Sequence, residues 1–139
     1  MQTFLPYASF AHSARVLDDR RLGRQRAEVL TLLGTLAGVT TGWRRHPAVA
    51  MWRGHEDALV LYGLLVTREW RRRGFKDTCY EKIAAFGRSR HPRAPPWLGN
   101  PAFHRSHQSA LVRKDPARYG PHFPGVPPDL PYVWPGPRR

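Results

Sequence analysis

The stretch LDDRRLGRQRAEVLTLLGTL, from Leu17 to Leu36, decides the fold predicted for this chain. Its apolar residues repeat with the 3.6-residue period of an α-helix and share one side of it: Leu22, Val29, Leu33 and Leu36. Three charged residues repeat at helical spacing on a different side: Arg21, Arg24 and Glu28. The sequence therefore predicts a helix with one face in the core and one charged face.

Capping residues predict where this helix and the one before it begin. Ser9 or Ser13 can cap a short helix that ends at Val16, and Asp18 or Asp19 can cap the helix quoted above. Either aspartate also places a negative charge at the positive end of the helix dipole. We expect the helix to end near residue 38, where a glycine precedes a loop.

A long helix is predicted from Pro47 towards Gly74, because proline is favoured at the first helical position and glycine in a left-handed C-terminal cap. Gly54 and Gly63 lie inside it and predict a bend or a close helix crossing. Two shorter helices follow, with the predicted N-caps Asp77 and Asn100.

The last segment, residues 121–139, holds seven of the 14 prolines and cannot form a regular helix or sheet. Its aromatic residues predict that it packs on the body of the protein. We expect one all-α domain over residues 1–139, with three to four helices, a proline-rich C-terminal wrap and a monomeric state.

Composition predicts a polyanionic partner. The formal net charge is +13, from 23 basic and 10 acidic residues. All but three of the basic residues are arginine, which binds phosphate through a planar fork and suits nucleic acid. An anionic membrane surface, or a GC-rich coding bias with another partner, remains an alternative. No obligate protein partner is indicated.

Several classes of protein find no support in the sequence. Cys79 is the only cysteine, which excludes a disulfide framework and a cysteine-based zinc site. No apolar run approaches the roughly 20 residues of a membrane span, and the N-terminus lacks the order of a signal peptide. We expect a cytoplasmic protein that does not bind membranes.

His104 and His107 lie three residues apart on a predicted helix and could supply two ligands of a metal-dependent hydrolase. A zinc or iron site needs a third ligand, and no acidic residue stands at a supporting spacing. The alternative is that these histidines cap, pack or touch phosphate. We expect no metal and no cofactor.

The chain's own α-amine, on Met1, is a candidate nucleophile. Its ordinary pKa is roughly 7.7 to 8.0, so part of it is neutral near pH 7, and a cationic surrounding increases that part. An amine can attack the anomeric carbon of a nucleotide, expel the base and leave an imine. Glu28, among arginines, could stabilise the sugar cation and move protons, or it could be an ordinary solvated or ion-paired residue.

Several collinear stretches resemble the pyrimidine dimer DNA glycosylase family, in a diverged bacterial and phage branch. LDDRRLGRQRAE is similar to the family's opening helix, which ends in its catalytic glutamate. HPAVAMWRGHEDALVLYG, REWRRRGF and FHRSHQSALVRKDPARY resemble its later helices. Three stretches resemble sequences of the bacterial and phage branch in particular: MQTFLPY, WRRHPAVAMWRG and PPWLGNPAFHRSHQSAL.

The resemblance implies an all-α enzyme that excises bases at pyrimidine dimers, or another damaged or modified base, from double-stranded DNA, with an associated AP-lyase step. The N-terminal amine would attack the sugar, and Glu28 would serve the imine chemistry without metal or cofactor. Gln2 is too bulky to favour removal of the initiator methionine, so the amine would belong to Met1. The family's two arginines beside the glutamate are Ala27 and Thr31 here, with Arg20, Arg21, Arg24 and Arg26 as candidate replacements.

Position along the chain suggests which residues contact DNA. Trp43 is a loop residue that could contact a base, whereas Trp52 belongs to the core stripe. Tyr119 and Trp134 either pack the tail or contact DNA. The basic residues expected to contact phosphate are Arg21, Arg24, Arg44, Arg45, Arg53, Arg113 and Lys114. The alternative to a glycosylase is a non-enzymatic basic DNA-binding module.

Overall fold

Helices account for all the regular secondary structure in residues 2–40, 42, 44–87 and 91–135, which this computed structural model describes. Their order and bounds are α1 Phe10–Val16, α2 Asp19–Leu36, α3 Pro47–Trp52, α4 Glu56–Arg72, α5 Tyr80–Ala84, α6 Pro101–Lys114 and α7 Pro116–Tyr119. The predicted all-α class is confirmed. Over the same residues, three long and four short helices stand where three to four were expected.

Side-chain caps begin α1, α2 and α6 where the sequence predicted them, whereas α5 begins after Cys79 and not directly after the predicted cap Asp77. The Asp18 carboxylate accepts a hydrogen bond from the backbone N–H of Arg21 at 3.2 Å and begins α2. Ser9 caps α1 by accepting from the His12 N–H. Asn100 caps α6, with proline at the first helical position.

The long helix expected from Pro47 to Gly74 is two helices, so that prediction was wrong in its continuity. The chain leaves α3 at Arg53 and enters α4 at Glu56. Between them Gly54 has φ +84°, in the left-handed region that a helix interior cannot contain. The glycine that predicted a bend therefore separates two helices.

Helices α2 and α4 form the centre of the core. Gly63 of α4 lies against Val29 of α2 and Ile83 of α5, where there is no room for a larger side chain. The expected apolar face of α2 is buried at Leu22, Val29 and Leu33. The core is filled further by Tyr62 of α4 and, from other helices, by Trp52, Phe103 and Tyr119.

Two extended segments flank this helical core. Residues 2–5 are buried beside α2, α4 and α6. The proline-rich segment packs along α6, where Ser109 Oγ donates to Pro127 O at 2.6 Å and Ser106 Oγ accepts from the Val133 N–H at 3.1 Å. The tail is therefore packed on the body as far as Pro135.

In the described part of the chain, every helix is too short or too polar to cross a lipid bilayer.

Candidate active site

The charged face of α2 forms one wall of a cleft of about 470 Å³. The end of α6 and the C-terminal tail contribute Lys114 and Tyr132, and the N-terminal segment contributes Gln2 and Phe4. The residues that α2 contributes are Arg20, Arg21, Arg24, Gln25 and Glu28. Four cations and one carboxylate therefore share a single concave surface.

Glu28 is half-buried in this cleft and forms no ion pair with any described residue. Several other carboxylates of the protein are paired. Arg72 and Arg73, at the end of α4, both bind Glu69, and the hydrogen bond from Arg72 lowers the pKa of Glu69 to about 2. A carboxylate that is not neutralised by a salt bridge, beside cations that can bind phosphate, is available for chemistry.

Arg21 is fixed at the rim of the cleft by Asp18. Its guanidinium binds the Asp18 carboxylate at 3.0 Å, and the Tyr119 hydroxyl donates to the same carboxylate. Burial alone would raise the pKa of Asp18, but the hydrogen bonds from Tyr119 and Arg21 hold it below its ordinary value. Arg20 and Arg24 are exposed and form no ion pair within the described residues.

Side chains of the helices hold the N-terminal segment on both sides. Gln25 Nε2 donates to Gln2 O at 2.7 Å, and Gln25 Oε1 accepts from the Phe4 N–H at 2.9 Å. Trp52 Nε1 donates to Thr3 Oγ1 at 3.0 Å. The segment that leads into the cleft is therefore fixed in register against α2.

His104 and His107 clamp the next residue of this segment. The Leu5 N–H donates to His107 Nδ1 at 2.9 Å, and Leu5 O lies 2.7 Å from His104 Nδ1. His104 Nε2 accepts from the Gly99 N–H at 2.8 Å, so both of its ring nitrogens are used. Burial lowers the pKa of His107 to about 3 and keeps that ring neutral.

This arrangement favours one of the two interpretations of the histidine pair. Both rings bind backbone, and the described residues contain no cluster of three or more histidine, cysteine, aspartate or glutamate side chains. The described residues therefore support packing rather than metal binding for His104 and His107.

Only some of the predicted DNA-contacting residues lie at the cleft. Arg21, Arg24 and Lys114 line it, whereas Arg53 lies beside Trp97 and Pro135 in another depression. Arg44 and Arg45 are exposed in the loop before α3. Arg113, next to Lys114, donates to Pro128 O at 2.8 Å. Met1 and Trp43 lie outside the described residues.

The other aromatic candidates for DNA contact also differ in their accessibility. Trp52 and Tyr119 are fully buried, and the Tyr119 hydroxyl is bound to Asp18. Trp134 is 36% exposed and meets the ring of His46 edge-on at a centroid distance of 5.8 Å. Burial lowers the pKa of His46. Trp134 is therefore the accessible one of the three.

The positions of the two missing family arginines, Ala27 and Thr31, are exposed. Of the candidate replacements, Arg26 does not line the cleft. It lies on another side of α2, where it binds the buried Asp77 at 2.6 Å and stacks on Trp70 at 4.3 Å. The replacements that do line it are Arg20, Arg21 and Arg24.

Sequence reasoning missed Gln25 and Tyr132 as site residues. Gln25 had a signal, because it stands between Leu22 and Val29 on the otherwise apolar face of α2 yet is 2% exposed. A buried amide needs partners, and these are in the N-terminal segment. No sequence signal indicated Tyr132, since only the path of the C-terminal tail brings it to the cleft.

A family model described as pyrimidine dimer DNA glycosylase matches residues 1–82, more than half of the chain. The matched region contains the N-terminal segment, all of α2 and α4, and Glu28. The chain belongs to this family of DNA glycosylases. No curated protein and no solved structure matches it in the corresponding comparisons.

Proposed function

We propose that the protein is a base-excision glycosylase with AP-lyase activity that acts on double-stranded DNA at pyrimidine dimers or another damaged base. One observation carries the proposal: the buried N-terminal segment leads into the cleft that also contains Glu28 and four cations. The family description names pyrimidine dimers, and we apply it to this chain as the proposed substrate class.

In this proposal the cations bind the DNA backbone. Arg20, Arg24 and Lys114 provide positive charge along the cleft without acidic partners among the described residues. Contacts of this kind fix the register of a duplex but do not select a sequence. Selection then comes from the lesion, because a damaged base costs less to unstack and to move out of the helix.

The Met1 amine is the proposed nucleophile, since Met1 directly precedes Gln2, which lines the cleft. Its nitrogen lone pair forms a bond to C1′ of the sugar while the bond from C1′ to the base breaks. The electron pair leaves with the base, which takes up a proton. Loss of protons from nitrogen and opening of the sugar ring, with O4′ protonated, give an imine.

Glu28 serves the sugar cation and the later elimination in this scheme. Its negative charge opposes the positive charge that develops on the sugar as the base departs. In the imine the C2′ proton is acidic, and the carboxylate can accept it while the 3′ phosphate leaves with the C–O electron pair. Amine and carboxylate supply both nucleophile and proton acceptor, so the reaction as written needs no metal or cofactor.

The test compares wild type with Glu28→Gln on ultraviolet-irradiated duplex DNA. We expect Glu28→Gln to bind the DNA at least as well, because a negative charge is removed from a cationic cleft, and to lose strand cleavage. Equal cleavage by both proteins would remove Glu28 from the mechanism. If the wild type binds but cleaves neither irradiated nor abasic-site duplex DNA, the protein is instead a non-enzymatic DNA-binding module.

A further inference from the structure

The N-terminal segment is held by the side-chain amide of Gln25 where a neighbouring strand would ordinarily hold it. The Gln25 amide pairs with Gln2 O at 2.7 Å and with the Phe4 N–H at 2.9 Å. These two groups flank Thr3 and are those that a residue of an adjacent strand would pair. One side chain therefore fixes the register of the segment at its first described residues.

The orientation of the Gln25 amide is itself determined. Its Oε1 lies 2.8 Å from the hydroxyl of Tyr62, which is fully buried and also lies 2.7 Å from Phe4 O. A flipped amide would turn its NH₂ group towards the Phe4 N–H and its oxygen towards Gln2 O, so both backbone bonds would be lost. The network thus allows a single arrangement.

Gln25 and Glu28 stand three residues apart on α2, and both line the cleft. One helical turn therefore carries both the residue that holds the N-terminal segment and the carboxylate. We infer that Gln25 is a positioning residue that sets the place of the chain's amino group relative to Glu28. This inference rests on the proposed function, in which that amine attacks the sugar.

Loss of Gln25 should loosen the start of the chain without releasing the whole segment. His104 and His107 hold both backbone groups of Leu5, and Gln108 Nε2 donates to Pro6 O at 2.8 Å. The segment beyond Phe4 therefore keeps its own partners when the Gln25 amide is removed.

The experiment uses Gln25→Ala, Gln25→Glu and a control, Ile83→Ala, in the full chain. Gln25→Glu keeps the size and an acceptor oxygen but cannot donate to Gln2 O when ionised. Ile83 is fully buried on α5 and packs against Gly63, so the control lowers stability away from the N-terminal segment. If Gln25→Ala does not fold, Gln25→Glu carries the test.

Two rates are measured on each folded protein. The first is reductive methylation of the α-amine by formaldehyde and cyanoborohydride without DNA, followed against pH by mass spectrometry. The second is formation of a borohydride-trapped adduct with abasic-site duplex DNA at saturation, together with the Kd for that DNA.

At saturating DNA we expect both Gln25 variants to form the adduct about 100-fold more slowly, as expected for a misplaced nucleophile. Gln25→Glu, which adds a negative charge to the cleft, should also bind the DNA more weakly. The pH midpoint of methylation in Gln25→Ala should move from its wild-type value to roughly 7.7 to 8.0, the ordinary range of a free peptide amine. Ile83→Ala should change neither rate.

Other results would overturn the inference or separate it from the proposed function. Wild-type adduct rates and methylation midpoints in both Gln25 variants would contradict it. Equal losses in the Gln25 variants and in Ile83→Ala would show a structural role only. If the wild type forms no adduct but the Gln25 variants shift the methylation midpoint, the reaction is wrong and the positioning of the amine stands.

Discussion

Gly63 of α4 lies directly against Val29 of α2: a β-carbon built on Gly63 would stand 2.6 Å from Val29 Cγ1. Val29 is fully buried and follows Glu28 in the sequence. Since neighbouring residues of a helix point about 100° apart, this contact with α4 sets the rotation of α2 that leaves Glu28 at the cleft. The close packing of α2 against α4 in the core therefore helps to place Glu28 at the cleft.

Gly63→Ala should destabilise the protein by about 1 to 3 kcal/mol, because the added methyl group forces the two helices apart. Gly34→Ala is the matched control, since Gly34 lies inside α2 and its nearest neighbour would be the Thr40 hydroxyl at 3.9 Å. There alanine should stabilise by about 1 kcal/mol through helix propensity. Urea unfolding of both variants checks this, and a neutral Gly63→Ala would contradict the close packing.

The buried His107 predicts a pH dependence of stability. Its pKa is about 3 in the folded protein, below the ordinary 6.5, because burial disfavours the charged ring. Between pH 3 and pH 6.5 the unfolded chain binds more protons than the folded protein does. The free energy of unfolding therefore rises by about 1.4 kcal/mol per pH unit over this range and stops rising above pH 6.5. His107→Asn, which keeps an acceptor for the Leu5 N–H, should lose this part of the slope. Unfolding titrations from pH 5 to 7 test it, and equal slopes for both proteins would contradict the assignment.

The position of Arg24 in the cleft predicts that it contributes to the salt dependence of DNA binding. Each phosphate contact contributes about 0.9 to the slope of log K against log salt for duplex DNA. Arg24→Gln should reduce the slope by about that amount. Arg68→Gln removes the same charge from the exposed side of α4, away from the cleft, and should leave the slope unchanged. Equal effects of the two substitutions would show that the cleft is not the DNA-binding surface.

Local features were predicted best from the sequence, because they depend on neighbours along the chain. The caps at Ser9, Asp18 and Asn100 bind backbone groups two or three residues away and stand where expected. Gly54 signalled a change in the helix, but a left-handed φ that ends α3 cannot be distinguished from a bend by sequence alone.

Features that depend on distant partners could not be predicted. The partner of His107 is Leu5, 102 residues away, so the spacing of the two histidines left metal binding and packing open. Arg24 and Arg26 point about 200° apart on α2, so only Arg24 lines the cleft. The partner of Arg26 is Asp77, 51 residues further along the chain, which the sequence did not indicate. The role of Gln25 depends in the same way on the path of the N-terminal segment.

The most direct test of the proposed reaction is borohydride reduction of the protein with abasic-site or ultraviolet-irradiated duplex DNA, followed by mapping of the covalent adduct. Lys114 lines the same cleft and is the competing amine. Lys114→Arg keeps the charge and removes that amine, so its adduct should persist. We predict one DNA adduct per chain, attached to the α-amine of the N-terminal peptide. No adduct, or an adduct on Lys114 that Lys114→Arg abolishes, would contradict the account.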